Sequence, residues 1–167
     1  MRRIWLSEEN YHSFNNFIYL VLSGCNSNYV VTDNSRIQIS EEVLRCLDEE
    51  DTEGLKEMLC PKITQMYDID EQIETAMNFY VGSNSSHGSI TGGEGEGVDE
   101  GVKIYHRISP RIQDITTDSG NSYEIKFYMY IVCEENQEKV GISEITITNE
   151  YGEECVIGDY YLVNPEN

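Results

Sequence analysis

Apolar residues recur along the chain at two different periods, which divide the sequence into a helical part and a strand-rich part. Ile39, Val43 and Leu47 follow one another at four-residue spacing, as on a helix with one buried stripe. Glu41 and Glu42 fall on the opposite face. The pattern therefore predicts an amphipathic helix at the start of the folded domain.

Two further short helices are predicted before residue 82. Asp51 is placed to cap the second helix, which ends before Pro61 because proline cannot continue a helix. A third helix follows Asp68 or Asp70. Its apolar side is formed by Ile69, Ile73, Met77 and Tyr80. Apolar and aromatic residues at this spacing usually form a core, and we expect the same of this stripe.

The segment from 81 to 101 is rich in glycine, serine and acidic residues and interrupts both patterns. It resembles a glycine-rich calcium repeat, but Gly97 stands where that repeat needs an aspartate, and there is a single copy. The segment also lacks the Gly-Lys-Ser/Thr ending of a phosphate-binding loop. We therefore predict a flexible hairpin connection here.

Beyond Gly101 the apolar residues alternate with polar ones, as they do in half-buried strands. The first run, from Val102 to Ile108, places His106 on its apolar side, and the longest run extends from Tyr123 to Cys133. Alternation with one polar face predicts an antiparallel sheet that is covered on one side. Together the patterns predict an α+β fold, with three N-terminal helices packed on a curved antiparallel sheet.

The charge balance narrows the choice of partners. Eleven basic residues stand against 31 acidic ones, which gives a net charge of −20. Such a surface repels nucleic acid phosphates and anionic lipid headgroups, so we expect neither to bind directly. Solubility alone accounts for an acidic surface, and the remaining partners are an unknown small ligand or a basic protein.

The cysteines give no indication of a metal site. They are Cys25, Cys46, Cys60, Cys133 and Cys155, and none belongs to a Cys-x-x-Cys pair or a Cys/His cluster. If Cys25 has a separate role, the other four allow three disulfide pairings. Because Cys46 and Cys60 lie in helical patterns and Cys133 on the apolar side of a strand, we expect buried free thiols. No metal and no cofactor is predicted.

The N-terminal segment contains the sharpest local motif of the chain. Leu22-Ser23-Gly24-Cys25 resembles the bacterial lipoprotein signal, in which the cysteine is lipidated, and Arg2 and Arg3 provide a positive leader. Only six continuous apolar residues precede Ser23, fewer than such a signal usually has and too few to span a bilayer. A chance match in an amphiphilic leader is the alternative. Membrane attachment is therefore expected only through a lipid anchor at Cys25.

These features predict a modular chain. Residues 1–25 form a weak lipoprotein signal, 26–35 a polar tether, 36–162 the folded domain and 163–167 a short tail. The predicted location is the cell surface, with the protein lipid-anchored to the membrane. A cytoplasmic location is the alternative if the leader does not function.

The order of elements also resembles a known superfamily. The stretch Leu44 to Leu59 looks like the opening helix pair of the nuclear-transport-factor-2-like superfamily. Further stretches resemble a family of uncharacterised Gram-positive bacterial lipoproteins within it: Asp68–Gly82, Gly101–Ile108, Thr116–Met129 and Gly141–Ile147. The resemblance implies a cone-shaped fold with a pocket and transfers no catalytic residue.

The candidate pocket residues are His106, Tyr80 and Met129. His106 and Met129 lie on apolar strand faces, of which that of His106 is predicted to point toward the helices, and Tyr80 lies on the apolar side of the third helix. His106 is expected to be a hydrogen-bonded core histidine, because its neighbours Tyr105 and Arg107 point to the opposite face of the strand. No catalytic residue is predicted. The expected function is a non-catalytic extracytoplasmic binding module. The alternative is an acidic immunity-type inhibitor of a basic toxin, and an enzyme that uses the cone pocket ranks third.

Overall fold

The computed structural model of the chain describes residues 33–165, and the predicted lipid attachment at Cys25 lies outside them. Four helical segments come before the sheet and a fifth follows it. They are α1 (Asp33–Asp48), α2 (Thr52–Met58), α3 (Pro61–Thr64), α4 (Ile69–Phe79) and α5 (Tyr160–Val163). The fold is thus α+β as predicted. The prediction of three N-terminal helices was incomplete, because four helical segments precede the sheet and one follows it.

The additional segments α3 and α5 are each a single turn. Pro61 does end the preceding helix, but it also occupies the first turn of α3, where its missing N–H has no intrahelical partner to lose. Helix α5 begins after Asp159, whose side chain accepts hydrogen bonds from two backbone N–H groups. Helices this short carry no periodic pattern, so the sequence does not reveal them.

The acidic break between α1 and α2 is a structured cap. The Asp51 carboxylate accepts a hydrogen bond from the Gly54 N–H at 2.9 Å, as predicted for a helix cap. Arg45 forms ion pairs with Glu42 at 2.7 Å, Glu49 at 2.5 Å and Asp51 at 2.8 Å. The Gly54 hydrogen bond and Arg45 together hold the pKa of Asp51 below its usual value. This network fixes the angle at which α2 leaves α1.

Six antiparallel strands form one sheet. They are β1 (Asn84–Ser86), β2 (Ile90–Asp99), β3 (Val102–Thr117), β4 (Ser122–Cys133), β5 (Gly141–Asn149) and β6 (Glu154–Gly158), with a 3-10 turn at Gln137–Lys139. The order is β1-β3-β4-β5-β6, and β2 pairs with the same edge of β3 as β1 does. Strand β3 therefore joins the glycine-rich segment to the rest of the sheet.

The glycine-rich segment forms strand β2, so the predicted flexible connection is wrong. It pairs with β3 from Ile90 opposite Ile112 to Asp99 opposite Val102. A Cβ atom on Gly97 would lie 2.4 Å from the Tyr105 ring, which shows that this ring lies across the strand where no side chain opposes it. Glycine in a strand often marks such a close approach, and pairing with β3 overrides the low strand propensity.

The core lies between the helices and one face of the sheet. We call this the inner face and define it by the buried alternate residues of β4: Tyr123, Ile125, Phe127, Met129, Ile131 and Cys133. Their burial confirms the predicted sidedness of the longest strand. From the helices, the buried residues include Leu44, Leu47, Leu55, Ile63, Ile73 and Ala76.

The four described cysteines are free and buried, as predicted. Burial raises the pKa of the Cys46 thiol to about 12, with smaller contributions from the acidic residues around it. Burial also raises the pKa values of Cys60 and Cys155. Cys46, Cys60 and Cys155 are therefore protonated at neutral pH and behave as small apolar side chains.

The folded part extends past both predicted ends. Helix α1 begins at Asp33, within the predicted tether, and Val163 and Asn164 are buried although they follow residue 162. Within residues 33–165, no helix is both long and apolar enough to cross a membrane.

Candidate functional site

The face of the sheet opposite the core, which we call the outer face, contains an open groove of about 300 Å³. This volume is at the lower end of the range for small-molecule sites. The groove lies across β2, β3, β4 and β5 and reaches the start of α5. Its lining includes Gly93, Gly95, Arg107, Ser109, Tyr128, Tyr130, Ser143 and Tyr160.

Two glycines of β2 form the floor of the groove at one end. Gly93 lies opposite Ser109 and Gly95 opposite Arg107 in the register of β2 and β3. A Cβ atom would lie 2.9 Å from Ser109 Oγ at Gly93 and 3.1 Å from Arg107 Nε at Gly95. The Gly93 N–H also donates a hydrogen bond to Ser109 Oγ at 3.2 Å. The missing side chains thus let Ser109 and Arg107 lie across β2.

Tyr128 and Tyr160 form an aromatic wall of the groove. The rings of Tyr128 and Tyr160 have centroids 4.8 Å apart and planes inclined at 49°. The Tyr160 N–H donates to Glu144 Oε2 at 3.0 Å, and Asp159 Oδ1 accepts from the Tyr161 and Leu162 N–H groups at 2.8 and 3.1 Å. These hydrogen bonds satisfy the first turn of α5 and hold Tyr160 beside Tyr128.

Arg107 and Tyr130 meet inside the groove. The Tyr130 hydroxyl donates a hydrogen bond to Asn164 Oδ1 at 3.0 Å, which ties β4 to the end of α5. Burial raises the pKa of Tyr130, and the neighbouring Arg107 guanidinium offsets part of that rise. The groove therefore presents a guanidinium, hydroxyl groups and aromatic rings on one surface.

Arg107 has no ion pair with a carboxylate among the described residues. Arg111 makes the contrast clear, because it lies on the same strand and face and pairs with Glu124 at 2.7 Å. Two carboxylates at the groove have other partners: Glu94, which is part of the lining, contacts His106, and Glu144 accepts the Tyr160 N–H.

His106 lies on the inner face and does not line the groove. Its side chain is fully buried, and Nε2 forms a 2.7 Å hydrogen bond with Glu94 Oε1. Nδ1 has no partner among the described residues. This geometry agrees with the prediction of a hydrogen-bonded core histidine.

The other two predicted pocket residues lie far apart. Tyr80 stacks on Tyr123 with ring centroids 4.8 Å apart and donates a hydrogen bond to Asp48 Oδ1 at 3.2 Å. Burial, with Asp48 nearby, raises the pKa of Tyr80. Met129 is buried on the inner face and also borders the groove, six residues from Tyr123 along β4 or about 20 Å at strand spacing. The predicted residues therefore do not form one pocket.

The groove residues were visible in the sequence only in part. Alternation already placed Arg107, Tyr128 and Tyr130 on the polar face of their strands. Nothing in the pattern indicated that glycines of β2 would line the groove, or that the chain after β6 would bring Tyr160 to it. Among residues 33–165, no group of three or more His, Cys, Asp or Glu side chains is placed to hold a metal ion.

The fold and the groove define an α+β domain built on one six-stranded antiparallel sheet. The chain belongs to the family described as a domain of unknown function, DUF5104, which matches residues 42–150. A comparison with curated proteins gives no match. The matched range includes β2 to β5, and so most of the groove, but it ends before β6 and α5, which carries Tyr160.

Proposed function

We propose that this domain is a non-catalytic binding module that holds a small ligand in the outer-face groove. The observation that carries the proposal is the groove itself, whose lining combines Arg107 with Tyr128 and Tyr160. Small-molecule sites commonly combine aromatic walls with a few well-placed polar groups. Tyrosine suits this role because its ring packs against apolar surface while its hydroxyl forms hydrogen bonds.

The walls of the groove are held in place by contacts within the domain. Tyr130 is fixed by Asn164, Tyr160 by Glu144, and Ser109 by the Gly93 N–H. A site whose side chains are already ordered loses less entropy when a ligand binds. This arrangement favours binding to a preformed groove.

A fragment screen by ligand-observed NMR tests the proposal, with wild-type protein and a Ser109→Phe variant. The phenyl group is expected to fill the groove while the fold is retained, because Tyr105 already lies across Gly97 in the same strand pair. We expect fragments that bind the wild type to lose at least tenfold in affinity for the variant, and to be recovered chemically unchanged.

Thr148→Phe is the matched control, since it adds the same ring to the outer face of β5, five residues from Ser143. It should leave fragment binding unchanged. Fragments that bind Ser109→Phe as tightly as wild type would place the binding site elsewhere. Turnover of a bound fragment would contradict a non-catalytic role.

We also propose that the domain has a nuclear-transport-factor-2-like fold and that the protein is a surface lipoprotein. The fold proposal is supported by helices that precede an antiparallel sheet and cover one of its faces. The location is supported by Leu22-Ser23-Gly24-Cys25 and the polar residues that follow. A tethered binding module at the cell surface is consistent with both.

Replacing Cys25 with alanine tests the location. We expect the wild-type protein in the membrane fraction with the mass of a lipidated chain that begins at Cys25. The variant should leave that fraction or persist as an uncleaved precursor. Identical fractionation and intact mass for the two forms would exclude the anchor.

A second candidate is an immunity-type inhibitor that binds a basic toxin. It is supported by the net charge of −20, because complementary charge accelerates the encounter of two proteins. Affinity purification distinguishes it from the first proposal. A stoichiometric basic protein that remains bound to Ser109→Phe would favour the inhibitor, because the contact would not involve the groove.

A further inference from the structure

We infer that the groove recognises a small carboxylate that carries a single flat ring, with the carboxylate paired to Arg107 and the ring packed against Tyr128 and Tyr160. The inference rests on the proposed binding function and adds the chemical class of the ligand. Three properties of the groove support it: an arginine without an acidic partner, one positive charge, and an aromatic wall.

Arg107 differs from several other cations of this chain. Acidic residues outnumber basic ones 31 to 11, and Arg45, Arg111 and Lys56 each pair with at least one carboxylate. Arg107 instead lies over Gly95 and beside the Tyr130 hydroxyl. A guanidinium provides a planar fork of donors that matches the two oxygens of a carboxylate.

The charge of the groove favours an anion with a single negative charge. Arg107 is the cation among the lining residues, which also include Glu94. The Glu94 carboxylate contacts His106 and the Glu144 carboxylate accepts the Tyr160 N–H, so neither is paired with Arg107. A dianion would leave one charge without compensation. The rest of the acidic surface opposes an anion only weakly at contact range, because salt screens charges beyond about 8 Å at physiological ionic strength.

We infer the ring of the ligand from the aromatic wall of the groove. Tyr128 and Tyr160 both line the groove, and their rings are inclined at 49° with centroids 4.8 Å apart. Aromatic rings favour such tilted or offset contacts. The groove volume of about 300 Å³ suits one ring and its carboxylate.

The test is an NMR titration at physiological ionic strength with benzoate and its neutral counterpart benzamide. We expect wild-type protein to bind benzoate at least tenfold more tightly than benzamide, since hydrogen bonds to charged groups are the stronger ones. Arg107→Gln should remove that preference and leave the affinity for benzamide unchanged. Arg107→Lys should restore part of it, because lysine keeps the charge but lacks the planar fork.

Arg111→Gln is the control, since Arg111 lies on the same face of β3 and is already paired with Glu124. It should leave both affinities unchanged. Failure of benzoate to bind wild-type protein, or an Arg107→Gln variant that still prefers benzoate, would overturn the inference. So would phenyl phosphate that binds more tightly than benzoate through Arg107.

The inference and the proposed function fail in different ways. If benzoate and benzamide bind equally well and both are lost in Ser109→Phe, the groove is a binding site but the carboxylate assignment is wrong. If both bind Ser109→Phe and wild type equally, the groove itself is not the site.

Discussion

Replacing Phe127 with alanine is expected to lower the free energy of unfolding by about 3–5 kcal/mol, the usual cost of deleting a buried ring. Phe127 is 1% exposed and lies at the centre of β4 on the inner face. Its register partner on β5, Ile145, is fully buried. Because both flanking strands are fixed by pairing, the cavity cannot collapse easily. Denaturant titration monitored by circular dichroism measures the loss.

Tyr67→Ala provides the control, because the Tyr67 side chain is fully exposed. Its removal should change stability by less than about 0.5 kcal/mol, as for most surface substitutions. A loss below about 1 kcal/mol for Phe127→Ala would contradict the assignment of the inner face as the core.

The Gly158→Ala variant should lose about 3 kcal/mol, of which about 1 kcal/mol reflects backbone strain at positive φ. Gly158 has φ +83°, and a Cβ atom there would lie 2.4 Å from the Ser143 carbonyl oxygen. Because that atom belongs to the backbone of β5, the contact cannot be relieved by a side-chain rotation. The Gly158 N–H also donates to Gln72 Oε1 at 2.8 Å, which ties β6 to α4.

Gly101 supplies a closely matched control. It has the same φ of +83°, but a Cβ atom there would meet nothing within 4 Å. Gly101→Ala should therefore cost only the strain, about 1 kcal/mol. Thermal and denaturant unfolding measure the loss of stability in both variants, and the difference between the two losses is the cost of the contact. Equal losses for the two variants would mean that β5 moves freely away from Gly158.

The same glycine also links stability to the groove. It directly precedes Asp159, which caps α5 and so positions Tyr160 against Tyr128. A displaced Gly158 backbone should shift that wall. We therefore expect the folded fraction of Gly158→Ala to bind groove fragments more weakly than wild type does.

The sequence predicted the fold best where burial is one-sided. The alternating run from Tyr123 to Cys133 specified which face of β4 is buried, because a strand that is buried on one face must alternate. Asp51 was identified as a cap because a carboxylate before a helix has one common partner, the N–H three residues on. Both inferences depend on local geometry alone.

The sequence failed where long-range contacts determine the structure. Strand β2 was taken for a flexible connection because glycine has low strand propensity, and only its pairing with β3 reveals that the glycines leave room for Tyr105 and Arg107. The site was sought on the inner face because of the resemblance to a cone-shaped fold. Residues such as Arg107 were placed correctly on the outer face, but nothing in their spacing showed that Tyr160 would join them.

The most direct test of the groove is to map amide chemical shifts while benzoate is added to wild-type protein. We expect the largest changes to cluster at the amides of Gly93, Gly95, Ser109 and Tyr160, and Arg107→Gln to reduce them. Changes that cluster instead on the inner face, around Ile125 and Ile73, would contradict the account and place the ligand between the helices and the sheet.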